Sequence, residues 1–121
     1  MRGRLLVLAL FVTLGLSLLT QPEFIILAMI RSFASTDTES FYVTGKSRRF
    51  PTEILKRAAM RLNQLSAATD VKDLRLPPSN HLEALSGNRS GQWSIRINQQ
   101  WRVCFQFENG DALNVEIVDY H

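Results

Sequence analysis

"WSIRINQQWRVCFQF", Trp93 to Phe107, decides the fold. Apolar residues (Trp93, Ile95, Ile97, then Trp101, Val103, Phe105, Phe107) alternate with Ser94 and Arg96, then with Arg102, Cys104 and Gln106. A period of two belongs to half-buried strands, so the first set should meet a core and the second should face outward. Asn98, Gln99 and Gln100 interrupt the alternation, which makes the stretch a hairpin. Next, "ENGDA" (108–112) supplies the Asn-Gly pair that tight hairpins favour. "LNVEIVDYH" (113–121) is the closing strand, with Leu113, Val115 and Ile117 toward the core. Glu116 and Tyr120 then share the outward side with the arginines.

Upstream of His81 the period is helical. In "PTEILKRAAMRLNQLSAAT" (51–69) Leu55, Ala58, Ala59, Leu62 and Leu65 form an apolar stripe, while Lys56, Arg57, Arg61 and Gln64 take the other side. Pro51 suits the first turn of that helix. "STDTESFYVTG" (35–45) predicts a shorter helix. There Thr36 and Glu39 have capping-box spacing, and Gly45 is placed to end the helix in a left-handed conformation. "TDVKDL" (69–74) adds a helical turn, and Pro77-Pro78 forces extended chain. "MIRSF" (29–33) alternates and reads as a first strand. The expected fold is α+β: an N-terminal strand and two to three helices packed on one face of an antiparallel sheet.

The 121 residues suffice for one domain. Fourteen Lys and Arg against eleven Asp and Glu leave +3, which permits a polyanionic partner without requiring one. One cysteine, Cys104, excludes an internal disulfide framework and fits a reducing compartment. Two histidines, His81 and His121, without ligand spacing around them give no metal site. No phosphate-cradling glycine loop is present.

The first 28 residues differ from the rest: two arginines, then an apolar run from Leu5 to Leu19. That run resembles a signal peptide or short anchor, but no convincing cleavage site follows it. We expect an over-called start, with the working domain spanning 29–121 in the cytoplasm and no membrane attachment.

The outward face gathers Arg96, Arg102 and Tyr120 beside a chain end of Asp119, Tyr120 and His121. Guanidinium forks suit phosphate oxygens, and imidazole is the side chain best placed to trade protons near neutrality. "MIRSF", "LEALSGNRSGQWSIRINQQWRVCFQF" and "VEIVDYH" together resemble the HigB toxins of the RelE/ParE superfamily of bacterial type II toxin–antitoxin systems. The resemblance implies a ribosome-dependent mRNA endonuclease that uses no metal or other cofactor. It also implies neutralisation by a helix-turn-helix antitoxin, HigA. Asp119, Tyr120 and His121 match the family's catalytic ending. Arg102, with Arg96, Arg89 and His81, is expected to hold RNA phosphate.

One departure bears on chemistry. Many HigB toxins carry "LHPLKG" where this chain has "LEALSG", so Glu83 and Ser86 stand at the histidine and lysine positions. Glutamate can act as a general base, but serine cannot replace a cation, so weakened catalysis is expected. Base and acid stay open among Glu83, His81 and His121. A second class of function is a non-catalytic module that keeps the fold and binds the antitoxin or RNA. Gyrase inhibition, as in ParE relatives, is disfavoured by the "DYH" ending.

Overall fold

The computed structural model describes residues 29–120. The apolar leader and His121 lie outside the described residues. β1 (Met29–Ile30) is followed by α1 (Thr36–Thr44) and α2 (Thr52–Ala67). Short 3-10 turns at Val71–Arg75 and Pro78–Asn80 lead to β2 (Glu83–Ala84). A third at Gly87–Arg89 precedes β3 (Trp93–Arg96), β4 (Trp101–Glu108) and β5 (Asp111–Asp119). The α+β architecture follows the sequence expectation.

The sheet order is β1-β5-β4-β3-β2. β2 through β5 pair antiparallel, as alternation and turn chemistry predict. Asn109 and Gly110, at φ 52° and 82°, form the tight turn between β4 and β5. The expected all-antiparallel sheet is corrected at its edge. β1 runs parallel to β5, with Met29 opposite Asp111 and Ile30 opposite Ala112, so the sheet is mixed. Parallel neighbours need a long crossover, which the intervening helices provide. Among the described residues no helix is long and apolar enough to cross a membrane.

α1 begins one residue earlier than capping-box spacing suggests. Ser35 Oγ, not Thr36, accepts from the Thr38 N–H at 3.0 Å, which moves Glu39 beyond the reciprocal position. Gly45 closes the helix at φ 75°, donating its N–H to Phe41 O at 2.8 Å. The capping box lies instead on the turn after α2, where Asp70 and Asp73 bond each other's backbone.

The core sits between α1, α2 and one sheet face. Phe41, Ile54, Ala58, Leu62 and Leu65 pack against Ile95, Val103, Phe105 and Val115. Two expectations about this face are corrected. Arg61 is not on a solvated side: it is 3% exposed and its Nε donates to Arg96 O at 2.7 Å, with Nη2 3.5 Å from Ser79 Oγ. Helical period alone cannot separate a solvated cation from one whose long stem reaches carbonyls at a strand end. Burial first, and then the charge of Arg57, lower the pKa of Arg61.

Leu113 is only half-buried, while Ala112 and Val115 are fully buried. Between Cys104↔Glu116 and Gln106↔Leu113, β5 carries one more residue than β4. This bulge, with Asn114 at φ 53°, resets the alternation.

Thr38 ties α1 to the strand that ends in the candidate site. It is fully buried, and its Oγ1 accepts from Ile117 N–H at 3.0 Å. Thr38→Val keeps the shape but leaves that amide unpaired, so stability should fall by about 1–3 kcal/mol. A denaturant titration checks this, and an unchanged midpoint would remove Thr38 as a support of β5.

Candidate active site

β3, β4 and β5 point a second set of side chains away from the helices. Arg96 lies opposite Arg102, which lies opposite Val118, and Cys104 lies opposite Glu116. This face was expected to point outward, but Ser94 and Cys104 are fully buried and Arg102 is 9% exposed. The cause is the 81–89 segment, which crosses it. From there His81, Glu83 and Arg89 all contact residues of β4 or β5.

Arg102 is the hub. Its Nη1 donates to Ser94 Oγ at 2.7 Å, lies 3.2 Å from Glu83 Oε1, and lies 3.4 Å from the His81 carbonyl. Its guanidinium carbon sits 5.5 Å from the centre of the Tyr120 ring. Glu83, on β2 opposite Ser94, is half exposed, so its carboxylate reaches both Arg102 and solvent. The structure therefore brings Glu83, Arg102 and Tyr120 together.

The other residues singled out from sequence lie around this hub. Arg96 Nε is buried with no hydrogen-bond partner among the described residues. Arg89, on the 3-10 turn after β2, bonds Gln92 Oε1 at 3.0 Å and lies 3.8 Å from Glu116 Oε1. His81 does not continue an extended segment toward Glu83. It caps the Pro78–Asn80 turn at φ 45°, presenting its carbonyl to Arg102 while the residue as a whole is exposed. Ser86 caps the next turn and is exposed.

The chain end is anchored by the β3–β4 turn. Gln100 O accepts from Tyr120 N–H at 2.6 Å, and Gln100 Nε2 donates to Asp119 Oδ2 at 3.1 Å. Asn98 Oδ1 in turn accepts from the backbone N–H groups of Gln100 and Trp101, which fixes the turn. Sequence reading missed this clamp. Its signal is the polar "NQQ" (98–100) at a spot that needs only a turn.

The arrangement offers cationic forks, a carboxylate acceptor and a phenol on one face. Burial raises the Cys104 pKa, so its thiol stays protonated and is no nucleophile. Arginine forks beside a carboxylate and a phenol suit the binding of a phosphate and proton transfer around it.

Comparison with known proteins agrees with this chemistry. A family model for the RelE-like toxin of the type II toxin–antitoxin system HigB matches residues 31–121. Toxin HigB-1 of Vibrio cholerae is 41% identical over 87 residues, covering 71% of this chain and 92% of that protein. Endoribonuclease HigB of Proteus vulgaris is 34% identical over 93 residues, covering 77% of this chain and 100% of that protein. In three dimensions the chain is similar to a YoeB–YefM complex from Staphylococcus aureus. The TM-score there is 0.50 at 17% identity, over 78% of this chain and 99% of the other, a likeness of fold. By its fold, its arginine-lined sheet face and the match over residues 31–121, the chain belongs to the HigB family of RelE-like toxins of type II toxin–antitoxin systems.

Proposed function

We propose that this toxin is an endoribonuclease that cuts mRNA on the ribosome, in the cytoplasm, and that a HigA-type antitoxin neutralises it. What carries the reading is the Arg102 hub: a nearly buried guanidinium flanked by Glu83 and Tyr120. The Proteus vulgaris relative, named an endoribonuclease and covered over its full length, supports the reaction class. The family match, to a toxin of a type II toxin–antitoxin system, supports an antitoxin partner.

The reaction is a transesterification. A base takes the proton from a ribose 2′-OH, the 2′-oxygen bonds to phosphorus, and the bond from phosphorus to the 5′-oxygen breaks as an acid protonates that oxygen. Products are a 2′,3′-cyclic phosphate and a 5′-hydroxyl. Glu83 acts as the base, since it is an acceptor beside the guanidinium that grips the same phosphate. Arg102, aided by Arg96, neutralises the charge that builds on the phosphorane. Arg89 and His81 border the RNA path. Tyr120 stacks on Arg102 and steadies a phosphate or base, Asp119 orients the tail, and His121 protonates the leaving oxygen. No step calls for a metal or cofactor.

With Ser86 in place of a lysine this mechanism has one cation fewer, and weak catalysis follows. Ribosome dependence is tested by incubating purified toxin with one mRNA, free or loaded in an initiation complex. Cuts should appear inside codons of the loaded message alone. Equal cutting of free RNA would contradict the ribosome as partner.

A further inference from the structure

The basic charge of this chain is concentrated. Residues 46–61 hold six Lys and Arg against one acid, Glu53, a surplus of five in a chain whose total surplus is three. Part of that segment forms a groove of about 500 Å³ on the helix side of the sheet. One wall is a single face of α2, Glu53, Lys56, Arg57 and Met60, at the helical spacing i, i+3, i+4, i+7. The other is Ile97 and Asn98 from the end of β3, joined to α2 by Arg57 Nη1, 3.4 Å from Ile97 O.

The groove is apolar at its floor and cationic at its rim. Ile54 and Ile97 are buried beneath it, while Met60 is 48% exposed. Among the described residues Met60 and Leu76 are the large hydrophobics left most open to solvent. A flexible thioether beside exposed lysine and arginine suits an adaptable protein contact. Nucleic acid fits less well, since no aromatic platform is among the residues that line the groove.

We propose that this groove docks a segment of the antitoxin that carries one apolar side chain flanked by carboxylates. The inference rests on the toxin–antitoxin reading for the identity of the occupant. The apolar side chain packs on Ile54, Met60 and Ile97, and the carboxylates meet Lys56 and Arg57. Docking there leaves the Arg102 face uncovered, so the occupant binds toxin independently of the catalytic side chains.

The test uses the full toxin and the purified antitoxin encoded beside it. Met60→Glu and, separately, Lys56→Glu should each weaken antitoxin binding at least about tenfold, as expected for central anchors. RNA cleavage and the unfolding midpoint should stay at wild-type values. Unchanged antitoxin affinity in both variants overturns the groove proposal alone. Retained antitoxin affinity with lost ribosome binding assigns the surface to RNA and also overturns it. If the unaltered toxin does not bind the antitoxin, both the groove and the pairing under Proposed function fall, while cleavage assays still report on the enzyme.

Discussion

Replacing Arg102 with alanine should lower mRNA cleavage by about 10²–10³-fold, the usual cost of removing one donor from a transition-state charge site. Arg102 is 9% exposed and its guanidinium is held by Ser94, Glu83 and the His81 carbonyl, so its position is fixed before substrate arrives. Arg102→Lys should not restore activity. A lysine keeps the charge but lacks the planar fork and the stacking surface toward Tyr120. The stability loss should stay below the roughly 3–5 kcal/mol of a fully buried broken pair, because Glu83 is half exposed and can turn to water. Single-turnover cleavage and a denaturation curve on the same protein separate the two effects. Cleavage within a few-fold of wild type would remove Arg102 from the site.

Glu83→Gln is the second large effect. The amide cannot take a proton from a 2′-OH, so the cleavage rate should fall by about 10²–10⁴-fold. RNA affinity should hold or rise, since the change deletes a negative charge beside the phosphate and loosens the 3.2 Å pair with Arg102. That split, slower chemistry with undiminished binding, is what separates a base from a structural partner of Arg102. Full activity in Glu83→Gln would hand proton abstraction to a histidine or to Tyr120.

Most of the frame could be read from local pattern. Alternation from Trp93 to Phe107 located the hairpin, Asn109-Gly110 located the next turn, and Gly45 ended α1 where left-handed backbone was required. Period-based reading failed where a non-local contact decided the outcome. Arg61 sits on the polar side of the helical wheel yet is buried, because the β3 end brings a carbonyl within 2.7 Å. Leu113 lost its core position to a bulge that no period of two can register. β1 pairs parallel because the chain returns over the helices, which alternation within "MIRSF" does not encode.

The site divides the same way. Alternation placed Arg96, Arg102, Glu116 and Tyr120 on one side of the sheet. It could not show that the aperiodic 81–89 segment folds across that side and buries Arg102. Nor could it show that Gln100 grips Asp119 and Tyr120, which turns a chain end into a positioned element. Glu83 was visible as a candidate base, but its pairing with Arg102 required the fold.

On the function proposed above, the Arg102 face with its chain end is a nuclease site. The most direct measurement expresses the full chain in a bacterial host beside a Tyr120→Phe, His121→Ala double variant, and maps mRNA 5′ ends in both. Growth arrest with new cuts inside translated codons is expected, lost in the double variant, which should still bind antitoxin. Soluble, antitoxin-binding wild-type protein that yields no new ends would contradict it and leave a binding module with a toxin fold.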